Sequence, residues 1–464
     1  MKQMLSRSTV LAVILFTAQL SAIGQASAVE ERNVRAGMIF LAGDALQGRG
    51  SGTQYERITA EYVGSQFMQF GLEPAGEIGF DGNAGFVQTV NVSRAVIAGN
   101  PTISFGSKSL THGGEMVVLR TNSAKASGPL QRIAIGGKPT PGSAAFLTVN
   151  ETDEPRAVQQ AMQGLAAAGA SIVIVPENAQ WRQSWPAIAA RRLGFRVVPS
   201  ATPSVLVVVS KAAADELARA KEGTEIKFQG SLDPVQTTQT WNAIGKMSGS
   251  DPATASEIVV LSSHLDHLGV RENASGEDKI FNGADDDASG TVAVMELARV
   301  LAAGKRPKRT VYFVCYGSEE AGGYGSGHFV NNLPFPKEKL IANLQWEMIG
   351  RPDAKVGADE LWLTGYERSN LGPELVKRGA KLVADPHPSE NFFQRSDNYT
   401  LARQGIIAHT VSSFGLHTDY HRASDELRTI DFSHMTRSIN SMIKPIVWLL
   451  NSDFKPQWVE GKRP

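Results

Sequence analysis

The sequence predicts an α/β fold: a mixed, mostly parallel central sheet with helices on both faces, plus an inserted α+β domain. Three observations predict it. From about residue 257, almost continuously apolar runs alternate with helical patterns (EIVVLSSHLD, TVAVMELARVLAAG, TVYFVCYGSEE, LIANLQWEMIG, GIIAHTVSSF). Runs of that kind fit strands covered on both faces. Second, His264, Asp266, Glu319, Glu320 and Glu347 gather where those runs end. Ligands of such sheets bind beyond the carboxyl ends of the strands. Third, between about 92 and 235 the texture changes to short strand-like runs, Gly/Pro turns and two helical patterns, which marks an insert.

The elements follow in order. The chain opens MKQMLSRSTVLAVILFTAQLSAIGQASA. Lys2 and Arg7 precede an apolar segment, and Ala26-Ser27-Ala28 is a small-x-small cleavage site, so residues 1–28 read as a secretory signal peptide. Thr17, Gln19 and Ser21 break the apolar run short of a membrane span. The mature chain is therefore expected to carry no membrane anchor and to be periplasmic or secreted. Residues 54–71 place Ile58, Tyr62, Phe67 and Phe70 at helical spacing with Gly71 as a stop, and 86–93 reads as a strand. In the insert, strand, helix and strand across 144–176 form a βαβ signal, and KAAADELARAKEG is a second helix. The domain reading is 29–91 with 236–464, interrupted by 92–235.

Composition narrows the function. With 42% apolar residues the chain is an ordinary globular protein. Its 46 basic and 46 acidic residues balance, and the leader removes only Lys2 and Arg7. That argues against nucleic acid or an anionic membrane surface as partner. Cys315 is the single cysteine, so no intramolecular disulfide forms; inside TVYFVCYG it reads as a buried, inert thiol. Oligomeric state is left open by the sequence.

The motifs are ambiguous one at a time. FNGADDDASG at 281–290 crowds three carboxylates that repel one another, so it is either a solvated turn or a cation site. A calcium loop needs alternating acidic positions, which this run lacks. A Glu-Glu pair can simply open a helix. WEMIG puts an acid after an apolar strand, where a buried carboxylate must be paired or bound to metal. TDYHRASDE adds a late histidine.

Their joint order is specific. His264-x-Asp266, Asp286 within GADDDASG, Glu319-Glu320, Glu347 and His421 resemble the zinc-dependent exopeptidase family of bacterial leucyl aminopeptidases and glutamate carboxypeptidase. The resemblance covers the N-terminal helix region and roughly 236–450. RSDNYTLARQG and HTDYHRASDE are similar to the secreted bacterial branch. It implies a zinc exopeptidase (phosphorylase/hydrolase-like) fold and two Zn2+ per chain. His264 and Glu347 would hold one ion, Glu320 and His421 the other, and Asp286 would bridge. N/O ligation suits zinc. Three carboxylates and a bridging hydroxide, the nucleophile, would balance four positive charges. Glu319 would be the general base. Asp266 would orient His264, and Asp425 would do the same for His421. The resemblance also implies a cis peptide at Asp286–Asp287, with Asp285 and Asp287 as supports. Tyr420 would donate to the oxyanion, and Arg395, Ser396 and Asp397 would lie near the substrate pocket. His267, His409 and His417 are read as structural. One departure is Glu347, where the leucyl aminopeptidases carry Asp. The lid disulfide of some members cannot form with one cysteine. Through GLAAAGASIVIVPEN, the 92–235 block resembles the protease-associated domain of relatives.

The function implied is a two-zinc metalloexopeptidase acting on peptides, foremost an aminopeptidase. A carboxypeptidase or dipeptidase of the same family is the alternative, with Arg395 as anchor for a terminal carboxylate. A non-catalytic binding protein on this fold would lack ligands or base, and here both are present.

Overall fold

The structure, a computed structural model, describes residues 28–77, 82–150, 152–197 and 202–464. Apart from Ala28, the leader read at 1–28 lies outside the described residues. Among the described residues no helix is long and apolar enough to cross a membrane. The chain divides into two units, one of residues 1–90 with 239–464 and one of 91–238.

In the first unit the strands are β1 (Glu73–Pro74), β2 (Gln236–Met247), β3 (Ile258–His264), β4 (Thr310–Tyr316), β5 (Leu340–Trp346), β6 (Leu361–Leu363), β7 (Leu382–Ala384) and β8 (Ala408–Ser412). They pair in the order β1–β2–β4–β3–β5–β8–β6–β7. The central run β4–β3–β5–β8 is parallel, while β2 and β6 join it antiparallel. Every residue of β3, β4 and β8 is buried. This is why those strands read as unbroken apolar runs.

The main helices of this unit are α1 (Glu31–Leu41), α2 (Gln54–Gln69), α3 (Gly290–Ala303) and α4 (Phe432–Asn451). Thr53 caps α2 by accepting from the Glu56 N–H. The core-facing residues of α2 are Ala60, Val63 and Phe67, whereas Ile58 is 42% exposed. The stripe read through Ile58 is thus rotated: the buried face follows the small residues. α1 was not anticipated; it buries Val34, Met38 and Leu41. α3 is buried along its whole first half. Its first residue must be glycine, because a Cβ at Gly290 would strike the Trp346 carbonyl and the Asp287 carboxylate.

The second unit has its own apolar clusters. Lys125–Ala134, Ala144–Thr148, Ile172–Pro176 and Val205–Val209 run parallel in that order. Met116–Thr121 and Glu225–Leu232 are added antiparallel. The βαβ unit is completed by helix Pro155–Ala167, and Lys211–Arg219 is the second expected helix. Helix Ala179–Ala189 was not expected; it buries no residue, so no apolar stripe announces it.

His409 in β8 illustrates a satisfied core histidine. Its Nδ1 lies 2.7 Å from the Thr364 carbonyl and its Nε2 2.7 Å from Ser369 Oγ. Burial pushes its pKa down from 6.5 to about 4, the Thr364 carbonyl opposing. Below pH 6.5 the unfolded chain takes up a proton that the folded chain refuses, so stability falls as pH drops toward 4. Denaturant titrations at pH 7 and 4.5 should show an acid loss, of which His409→Gln removes on the order of 2–3 kcal/mol.

Candidate active site

Parallel strands deliver the site. His264 is the last residue of β3 and pairs in register with Tyr316 at the end of β4. Glu319 and Glu320 follow β4, and Glu347 follows β5, its N–H donating to the Val411 carbonyl of β8. The chain beyond β8 carries His421. Asp286 lies in the turn Ala284–Ser289 that leads into α3. The whole donor set therefore collects at one edge of the sheet, as parallel strands require.

Asp286 faces two ways. Its Oδ1 is 3.2 Å from His264 Nε2, and its Oδ2 is 3.3 Å from His421 Nε2. His421 Nε2 is in turn 3.2 Å from Glu320 Oε1. The flanking carboxylates turn elsewhere. Asp285 accepts from the Gly350 N–H at 2.7 Å and meets His417 Nε2 at 2.9 Å. Asp287 accepts from the N–H groups of Gly290, Met348 and His264. The Asp286–Asp287 peptide is cis.

Two expected supports act differently. His264 Nδ1 lies 3.2 Å from the Asp266 main-chain oxygen and 3.7 Å from its carboxylate. The Asp266 carboxylate instead accepts from the N–H groups of Glu319 (2.9 Å) and Glu320 (3.3 Å) and from Ser51 Oγ (2.5 Å). It holds the Glu-Glu turn more than the imidazole. Asp425 does not orient His421. It accepts from the N–H groups of Asp285 and Asp286 and pairs with Arg351 Nη2 at 3.1 Å.

Backbone strain marks the delivery points. Ser318, Met348 and His421 have φ values of 54°, 51° and 55°. Left-handed backbone is uncommon for non-glycine residues and costs about 1–3 kcal/mol each. These residues precede Glu319, follow Glu347 and supply a ligand candidate. Fully buried Glu56 helps fix the first of them. Its Oε1 accepts from the Ser318 N–H at 2.7 Å and from Thr240 Oγ1 at 2.6 Å. Burial, and Asp266 nearby, push its pKa up to about 8.

Electrostatically the site calls for positive charge. Burial pulls His421 down, yet the Asp286 and Glu320 carboxylates win and raise it to about 9. His264 is likewise raised well above its usual value despite burial, by Asp287, Asp266 and Asp286. Burial pushes Glu347 up to about 7 and Glu319 well above the usual carboxylate range, His264 opposing. His264 Nε2, Glu320 Oε1 and Glu347 Oε2 are buried without a hydrogen-bond partner. Orphaned buried donors and acceptors of this kind need explaining. Imidazole nitrogens and carboxylate oxygens that converge, unpaired, fit divalent zinc.

A cleft adjoins Glu347. Met348, Trp362, Phe392 and Phe414 form apolar walls, and Arg395, Ser396 and Tyr420 line it as well. Trp362 and Phe392 stack at 5.3 Å. The Tyr420 ring stacks on His421 at 3.9 Å, and its hydroxyl lies 3.4 Å from Arg395 Nη2. Ser396 Oγ is 3.4 Å from Gln345 Nε2. Asp397 is not among the cleft residues. It is buried with both carboxylate oxygens unpaired, and burial pushes its pKa up to about 7, offset by Ser326.

Sequence reasoning missed three contributors. The aromatic walls come from separate segments with no shared motif. His267, read as structural, lies inside the cluster, with Nδ1 2.9 Å from Glu320 Oε1. Arg49 is buried and donates to the carbonyls of Leu41, Leu265, Asn282 and Gly283. Burial lowers its pKa only to about 10, so it stays charged beside Asp266, Asp287 and Asp425.

The fold and site define an α/β protein with a buried carboxylate–imidazole cluster at the carboxyl edge of its sheet. Residues 242–445 match the model of Peptidase family M28. Leupeptin-inactivating enzyme 1 of Streptomyces exfoliatus is 36% identical over 228 residues, 46% of this chain and 49% of that protein. An aminopeptidase of Pseudomonas aeruginosa is 35% identical over 119 residues, 25% of this chain and 19% of that protein. The chain thus matches half or less of these relatives' length. The fold is that of an aminopeptidase from Aneurinibacillus sp. strain AM-1 (TM-score 0.52, 19% identity, 92% of this chain and 95% of that one). A zinc aminopeptidase from Bacillus subtilis is similar too (TM-score 0.50, 18% identity, 92% and 97%).

Arg49→Met should leave buried carbonyls and the acidic cluster without their cation. The expected loss is about 3–5 kcal/mol of stability, read from denaturant midpoints of metal-free protein.

Proposed function

We propose that the protein is a two-zinc aminopeptidase that releases N-terminal residues from peptides. The observation that carries this reading is Asp286, whose two oxygens face different partners, His264 on one side and His421 with Glu320 on the other. His264, Asp286 and Glu347 would hold one zinc, and Asp286, Glu320 and His421 the second. Bound there, zinc would supply Lewis-acid polarisation and a water of lowered pKa.

The chain's own residues do the rest. Glu319 takes the proton of the attacking water on a carboxylate oxygen. As the C–N bond breaks, it returns that proton to the leaving amine. Burial and the neighbouring Asp397, Glu347 and Glu320 carboxylates make it more basic than a surface glutamate. Asp266 fixes the main chain of Glu319 through the 2.9 Å bond. Burial holds the Tyr420 hydroxyl in its protonated form, so it can donate to the developing oxyanion. The apolar cleft beside Glu347 would take the substrate side chain, and Arg395 and Ser396 would orient the peptide at its mouth. Asp397 would act from behind, next to Glu319.

A carboxypeptidase or dipeptidase reading draws on Arg395, which lines the same cleft as Glu347. Free and N-blocked peptides separate the two.

Zinc-loaded protein should hydrolyse aminoacyl arylamides and unblocked di- and tripeptides. It should spare N-blocked ones and lose activity on chelation. Activity that survives exhaustive zinc removal would sink the proposal, and cleavage of N-blocked peptides would favour the alternative. Glu319→Gln should lower kcat by roughly 100-fold or more with zinc content unchanged.

A further inference from the structure

We infer that His267 is a further metal donor, joining Asp286, Glu320 and His421 at one pole of the centre. This deepens the two-zinc reading and rests on it. His267 is fully buried, and its Nδ1 lies 2.9 Å from Glu320 Oε1 and 3.8 Å from Asp286 Oδ2. With Asp286 and Glu320 it forms a group whose ligand atoms all lie within 4.8 Å of one another.

The directions of these atoms matter more than their closeness. His267 Nε2 is buried without a hydrogen-bond partner, and Nδ1 faces only the carboxylate oxygens of Glu320 and Asp286. His267 Nδ1 and Glu320 Oε1 stand 2.9 Å apart and converge with Asp286 in one group. The pair His264 Nε2 and Asp286 Oδ1 behaves the same way at 3.2 Å, with His264 Nε2 also unpartnered. Adjacent donors around a tetrahedral zinc with bonds near 2.0–2.1 Å lie about 3.3 Å apart. The separations in this cluster scatter around that value.

Other buried histidines of this chain set the contrast. His409 satisfies both nitrogens at 2.7 Å. His434 meets the Ala358 carbonyl at 3.0 Å and Ser413 Oγ at 3.1 Å. Buried His112 also has an unpartnered Nε2, but its Nδ1 accepts from the Val118 N–H and not from a carboxylate cluster. His267 is instead held from behind. Its main-chain N–H donates to the Arg49 carbonyl at 3.2 Å. Glycine at 283, with φ 56°, leaves room for the ring, which a Cβ there would strike.

The consequence is an asymmetric centre. With His267, the Glu320 pole has four protein donors, the complement of a closed zinc site. The Glu347 pole has His264, Asp286 and Glu347, the complement of a site that keeps a position open. The open pole is the one beside the apolar cleft.

X-ray absorption on the intact zinc-loaded protein counts imidazoles directly. Three per two zincs are expected, from His264, His267 and His421; two would overturn the assignment. In a chelator competition, His267→Gln and His267→Ala should weaken one of the two zincs by 100-fold or more and leave the other unchanged. Circular dichroism checks that each variant folds. Wild-type affinity for both ions in a folded variant would overturn the assignment. Wild-type protein that takes up fewer than two zincs would instead overturn the two-zinc reading. The His267 assignment is then judged on the remaining ion, and its retention by His267→Gln at wild-type affinity would overturn it.

Discussion

Negative charge packed into the carboxyl edge of the parallel sheet is the constraint on which the rest of this structure depends. Asp266, Asp285, Asp286 and Asp287 are all buried, with Glu319, Glu320 and Glu347 beside them. Carboxylates so placed repel one another and lose their water. The fold manages this by dividing the labour. Asp285 and Asp287 are taken up by backbone N–H groups and His417, and Asp266 and Asp425 hold the turns that carry the ligand candidates. Arg49 and Arg351 lend positive charge from behind. What stays unsatisfied is a small set of donors, and those are the ones that converge.

The same constraint explains the left-handed residues. The Glu-Glu turn, the chain after Glu347 and His421 must each bend sharply to aim a side chain inward. Ser318 is held by Glu56 from α2, so an N-terminal helix is tied to the geometry of a turn far along the sequence. The site is thus braced from several directions by groups that never face the cleft.

Much of this was legible in the sequence because parallel strands announce themselves. Where an apolar run ends in a polar residue, the strand end and the candidate donor coincide, as at His264, Glu319-Glu320 and Glu347. The three adjacent aspartates were sorted by the family resemblance, which gives the bridging role to Asp286 alone. What could not be read depends on partners distant in sequence. Arg49 matters through carbonyls of residues 265, 282 and 283. The walls of Trp362, Phe392 and Phe414 share no spacing. His267 and His409 look alike as letters, and only their hydrogen-bond inventories separate them. Asp266 and Asp425 were recognised as supports, but the backbone N–H groups they also take could not be read, since those donors are distant in sequence. In α2 the apolar letters drew attention to Ile58, while the packed face runs through Ala60 and Val63.

Drawing the donors from separate segments of the chain also fixes when the cluster can assemble. His264 and His421 lie 157 positions apart, and no local segment carries a complete set. Such contacts form only after long loops have closed, which is the slow part of folding. A chain with β3 and β4 paired but the segment beyond β8 undocked lacks His421 beside Asp286 and Glu320. Assembly of the cluster is therefore a record of completed topology.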